Sequence, residues 1–218
     1  MEKTKFKTLV NKIKSLSFEK KILLLLAIPF NLGCYYFVRY LTRARFHYCL
    51  MLPFEESIPF LPWMMIIYWG CYIFWAINYC LCTIYDKGKN GQFIKTHYIG
   101  ELICFIIMFI FPTIMPRPEV VGTDVFSKML VAQYTVDAAD NLLPSIHCFV
   151  SYLCWIGVRN NKDIPKWYQN TSLVLALLVF VSTLTVKQHV IADLIASVIV
   201  AEIAYKISSY LSNRKKFI

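Results

Sequence analysis

Two of the chain's four histidines stand where an imidazole can do nucleophilic or proton-transfer work. His189 is followed four residues later by Asp193, and residues four apart share a helix face. A carboxylate placed there orients the ring and stabilises its cationic form, the logic of a nucleophile or base held by a third group. His147 closes the run Leu143-Pro144-Ser145-Ile146-His147. Proline suits the first position of a helix, so Ser145 and His147 fall in a first turn. Free backbone N–H groups and the helix dipole there favour an anion such as phosphate. Arg117, in Met115-Pro116-Arg117-Pro118, offers a planar fork for phosphate oxygens, and Lys187 a point charge. Singly, each has a structural alternative: an interface arginine, a helix-end histidine on a carbonyl, an i,i+4 pair. Together they describe an anion site beside an acid–base pair.

The elements that must position these residues are apolar. Of 218 residues, 58% are hydrophobic and only 17% charged, against about 25% charged in an ordinary soluble domain. That leaves too little polar surface to clothe a water-exposed globule. The wealth of aromatic and aliphatic residues excludes disorder, and seven Gly and nine Pro exclude collagen-like or low-complexity architecture. The composition predicts an all-α, polytopic integral membrane protein of one domain, residues 1–218. Helical spans are expected at about 20–41, 62–85, 97–115, 144–158, 168–186 and 189–211, six in all. The runs are too long and unbroken for the strands of a barrel. Arg39 and Arg43 after the first run speak against a cleaved signal peptide.

The surplus of positive charge, +10, reads as topology and not as a nucleic-acid surface. Seven Lys stand in the N-terminal tail up to Lys21, at the start of the first span. Lys87, Lys89 and Lys95 follow the second, Arg159, Lys162 and Lys166 the fourth, and Lys206, Arg214, Lys215 and Lys216 the last. Arg39, Arg43, Arg45, Arg117, Lys128 and Lys187 remain for the other side. Both termini are therefore expected in the cytoplasm and the candidate site on the opposite face. The basic segment 1–19 either lies on the anionic inner leaflet as an amphipathic helix or is a solvated flank. The eight cysteines lack zinc-site spacing and read as small hydrophobes, with a Cys49–Cys148 disulfide as the minority alternative.

Arg117-Pro118, then Pro144-Ser145-Ile146-His147, then Ser182-Thr183-x5-His189-x3-Asp193 resemble the three motifs of the type 2 phosphatidic acid phosphatase superfamily. Its usual pattern is K-x6-R-P, P-S-G-H and S-R-x5-H-x3-D, and the similar stretch covers about residues 111–196. Ile110, Thr183 and Ile146 depart from that pattern, so two phosphate-binding cations are missing. Lys187 stands where it can replace one. The run Lys187-Gln188-His189-x3-Asp193 is similar to the branch near inositol phosphorylceramide and sphingomyelin synthases. The resemblance implies a membrane enzyme in which His189 attacks phosphorus, Asp193 orients it, and His147 protonates the leaving alcohol. Arg117, Ser145 and Lys187 would hold the phosphoryl oxygens. No cofactor or metal is called for, and the partners expected are a lipid phosphate substrate and membrane lipids.

The expected activity is hydrolysis of a lipid phosphate or diphosphate at the outer membrane face. Transfer of a phospho-headgroup to a lipid alcohol and a non-catalytic lipid-binding role are the alternatives. A zinc site of His147, His189 and Asp193 is disfavoured because Arg117 and Lys187 would repel the cation. The segment 39–60 reads as an interfacial linker, or as an element that caps the site or recognises the headgroup. Trp63, Tyr68, Trp69, Tyr72 and Trp75 read as an aromatic belt, as packing or as the lining of a lipid-entry groove. Asp137 and Asp140 either tune His147 or are solvated, and His97 is read as non-catalytic. The absence of sorting signals favours a bacterial plasma membrane.

Overall fold

Ser17 opens the first helix, its hydroxyl accepting from Lys20 N at 3.4 Å as an N-cap does. The computed structural model describes residues 17–86 and 91–214; the basic segment up to residue 16, with Lys87, Lys89, Lys215 and Lys216, lies outside them. Helix α1 is Phe18–Thr42, α2 Met65–Ile84, α3 Gln92–Ile110, α4 Val125–Val136, α5 Ile146–Val158, α6 Lys166–Thr185 and α7 Ile191–Arg214. Two 3-10 turns, Pro53–Ser57 and Pro62–Met64, precede α2. The two-residue strands β1, Tyr48–Cys49, and β2, Thr113–Ile114, pair in parallel.

Among the described residues, four helices are long and apolar enough to cross a membrane: α1, α2 with its leading turn, α3 and α6. The stretch expected as the fourth span is shorter, since α5 has 13 residues, about 20 Å at 1.5 Å per residue. The last helix has the length, 24 residues, but carries Asp193, Glu202 and Lys206. The third helix is also displaced from its expected limits. It starts at Gln92 and stops at Ile110, because Pro112 disfavours helical backbone at Phe111, whose φ is −130°. Helix α4 was not anticipated. Asp124 begins it by accepting from Phe126 N and Ser127 N.

Short α5 is the hub, packed against α2, α3, α6 and α7, while α3 packs along α7 and α1 lies on α3. The main core gathers around Phe149, Leu153 and Cys154 of α5. Gly100 of α3 is required there, since a Cβ would stand 2.2 Å from the Phe149 ring. Small residues let membrane helices approach closely in this way. The eight cysteines are free thiols, Cys148 buried and Cys49 exposed.

A small ribbon closes one end of the bundle. β2 carries β1 on one side and an antiparallel bridge from Ile114 to Asp140 on the other. Asn141 N donates to Thr113 O at 2.7 Å, and the Thr113 hydroxyl accepts from Leu142 N and Leu143 N at 3.0 Å each. Those bonds fix the approach to α5, and with it the start of the candidate site.

Candidate functional site

Ser145 is the N-cap of α5, fully buried, with its hydroxyl accepting from Cys148 N at 3.3 Å. Its carbonyl accepts from Ser197 Oγ at 2.8 Å, and the same hydroxyl reaches Asp193 O at 2.6 Å. The start of α5 is thus tied to the first turns of α7, which bring Asp193 and, just before them, His189. Asp193 is wholly buried. Its Oδ2 accepts from His189 Nδ1 at 3.1 Å and from Val190 N at 3.0 Å. With Nδ1 so engaged, Nε2 is the nitrogen left for chemistry.

His147 comes from the other direction. Its ring centroid lies 6.4 Å from that of His189. Tyr68 OH is 3.2 Å from its Nδ1 and Tyr72 OH 3.3 Å from its Nε2. The rings of Tyr68 and Trp75 flank it at 4.3 and 5.5 Å. Three of the aromatics read from sequence as belt, packing or groove lining therefore surround an imidazole.

Arg117 is anchored by its carbonyl partners. Nη1 donates to Asp137 O at 2.6 Å and Nη2 to Ala138 O at 3.0 Å. Nη2 also donates to Gln188 Oε1, and the guanidinium lies 4.5 Å from the Tyr134 ring centroid. Tyr134 donates to Val186 O at 2.7 Å. Burial pushes its phenol up to about 12, against a weaker lowering by Arg117. It is therefore a neutral donor at physiological pH. Arg117 is in this way coupled to the residue immediately before His189.

Among the described residues, Arg117 Nε, Gln188 Nε2 and Asp193 Oδ1 are enclosed without a hydrogen-bond partner. Buried polar atoms normally find partners, so orphans call for an explanation. Two of these three are N–H donors next to the anchored guanidinium, the equipment a phosphoryl oxygen needs.

Lys187 does not join them. Its backbone is left-handed, φ 52°, and Nζ donates to Glu55 O at 3.2 Å and Ile58 O at 2.7 Å. It pins the turn Pro53–Ser57 onto the start of α7. Glu55 completes that clamp. Its side chain is buried, with Oε1 accepting from Ile191 N at 2.6 Å and Oε2 from Leu52 N at 2.7 Å. Sequence reading treated Glu55 as part of an interfacial segment, and nothing in its local pattern announced a cap on a helix 136 residues away.

Gln188 was also passed over as a site residue, although it lies within the Lys187-Gln188-His189 run. Thr183, at the position of the missing arginine, is buried and donates to Phe180 O. Asp137 accepts from Tyr35 and Asp140 from Arg39, so both face α1 through those bonds. Among the described residues no group of three or more His, Cys, Asp and Glu side chains is arranged to hold a metal ion.

Comparison of the chain with protein-family models, with curated proteins and with solved structures finds no match. The functional reading rests on the residues themselves.

Proposed function

We propose that the protein is an integral-membrane lipid phosphatase that works through a phosphohistidine. The observation that carries the reading is the convergence of His147 and His189, 6.4 Å between ring centroids, together with enclosed, unpartnered donors on Gln188, the residue before His189, and on Arg117, which is bonded to Gln188. His189 Nε2 attacks phosphorus while the bond to the lipid oxygen breaks. Asp193 stabilises the imidazolium that results. His147 gives its proton to the departing alkoxide, then takes one from water as that water attacks the phosphohistidine. Inorganic phosphate leaves and His189 is restored. Arg117 Nε and Gln188 Nε2 donate to the equatorial oxygens as charge develops there.

In this reading α5, sheltered by four neighbours, and α7 complete six spans with the four longer helices. The lysine and arginine asymmetry places both termini in the cytoplasm and the histidines on the opposite face of the membrane, a bacterial plasma membrane being the favoured setting.

One observation favours a second reading. With Lys187 engaged by the carbonyls of Glu55 and Ile58, Arg117, bonded to Gln188, is the one cation of the expected phosphate-binding set that still reaches the residue next to His189. One such cation suits the single negative charge of a phosphodiester better than a monoester dianion. A phosphodiester substrate leads to headgroup transfer onto a lipid alcohol.

Purified protein incubated with labelled phosphatidate and labelled phosphatidylglycerol, with and without diacylglycerol or ceramide, separates the two. Free phosphate from the monoester supports hydrolysis. Labelled lipid that appears only with the acceptor supports transfer. Turnover of neither substrate, or turnover undiminished in His189→Ala, overturns both.

A further inference from the structure

At the C-terminal end of α1, Tyr36, Arg39, Tyr40, Arg43, His47 and Asp140 line a groove of about 480 Å³ that shares no residue with the reactive set. Arg39 and Arg43 are one helical turn apart and share a face. Arg39 donates to Asp140 Oδ2 through Nε at 3.1 Å, which leaves its two terminal nitrogens outside that bond. Arg43 lies over the Tyr40 ring, 4.3 Å from its centroid, and forms no ion pair among the described residues. His47 is held by Nδ1, 2.9 Å from Arg45 O. One carboxylate thus faces two guanidinium groups and an imidazole. The carbonyl end of α1 opposes an anion by about half a charge, which the two guanidinium charges outweigh even after Asp140 offsets one of them.

The groove's position says what kind of anion. α1 is long and apolar enough to cross a membrane, and its end carries exposed tyrosines, as residues at headgroup depth do. Tyr40 and Tyr36 begin an exposed stripe that continues through Leu32, Ile28 and Leu25 at near four-residue spacing. A phosphate between Arg39 and Arg43 would have an apolar track for acyl chains directly beneath it. A soluble anion would make no use of that track.

We propose that this groove binds the phosphate of an anionic phospholipid headgroup, with the acyl chains along the exposed stripe of α1. The proposal rests on α1 as a membrane span and not on phosphoryl transfer at His189. A protein with no such activity would still bind the lipid here.

The test uses the full-length protein in detergent, with His189→Ala as background so that no lipid is turned over. Dihexanoyl-phosphatidylglycerol and, separately, inorganic phosphate are titrated, and bound ligand is counted by native mass spectrometry. Loss of charge-assisted contacts in the Arg43→Gln, His47→Asn double variant raises the lipid's apparent Kd about tenfold. Arg43→Lys, which keeps the charge but loses the planar fork over Tyr40, weakens binding less than the double variant does. Unchanged lipid affinity in a double variant that melts at the parent's temperature overturns the proposal. A comparison on the unaltered groove needs no variant: inorganic phosphate that binds as tightly as the lipid overturns it too, because the stripe then contributes nothing.

Discussion

His189–Asp193 and His97–Glu101 are both i,i+4 pairs and both enclosed, His189 and His97 being 7% and 3% exposed. Their surroundings differ. His97 accepts or donates at Tyr79 OH, 2.8 Å away, while Glu101 Oε1 accepts from Asn31 at 3.0 Å and stands 3.5 Å from His97 Nε2. That pair joins α1, α2 and α3 to one another, and among the described residues its hydrogen bonds go to Asn31 and Tyr79 and to no second histidine or arginine. His189 faces His147, with Arg117 reached through the adjacent Gln188. The same local spacing therefore makes a helix-joining contact in one place and the proposed reaction centre in the other. What separates them is which other segments arrive.

The sharpest way to break this comparison is to remove each histidine in turn. His189→Ala is expected to lower kcat/KM by at least about a thousandfold, the scale of losing a nucleophile. His97→Ala should leave kcat/KM within about twofold, any effect appearing in the melting temperature instead. A large loss of turnover in a folded His97→Ala protein would reverse the assignment of the two pairs.

A smaller contrast is expected between the carboxylates. Asp193→Asn keeps the shape but not the charge that stabilises the imidazolium, and should cost about a hundredfold or more in kcat. Glu101→Gln can still accept from Asn31 and should turn over within about twofold of the parent. Equal losses in steady-state kcat would mean that both pairs act on the reaction.

The smallest effect probes the link between Arg117 and His189. Gln188→Leu removes the acceptor for Arg117 Nη2 and an enclosed donor, and should lower kcat/KM about tenfold to a hundredfold. Gln188→Glu, which keeps the acceptor and removes the donor, separates the two roles. If it restores full kcat/KM, the amide only positions Arg117 and does not touch phosphate.

Much of the site could be read from the linear sequence because its signals are local. Asp193 lies in the first turn of α7 and His189 two residues before that helix, near enough in sequence for the expected contact to form without a shared helix face. Ser145, expected inside a first turn opened by Pro144, is the N-cap of a helix that begins at Ile146. Arg117 sits between prolines. The sequence reading went astray where long-range bonds decide. Lys187 was expected among the phosphate ligands, yet a left-handed backbone and two carbonyls from residues 55 and 58 take its ammonium elsewhere. Glu55 and Gln188 carried no local signature. The third span was drawn too far, to residue 115, because hydropathy is blind to the ribbon that recruits Thr113.

Composition alone determined that the chain is helical and apolar enough for a membrane, since burial of apolar side chains and internal pairing of the backbone leave few other solutions. Spacing determined that His189, like His97, has a carboxylate four residues on. Only the tertiary structure decided that Lys187 turns to other partners while Arg117 bonds to Gln188, because a long side chain goes where acceptors are, and those of Lys187 come from a turn more than 120 residues away.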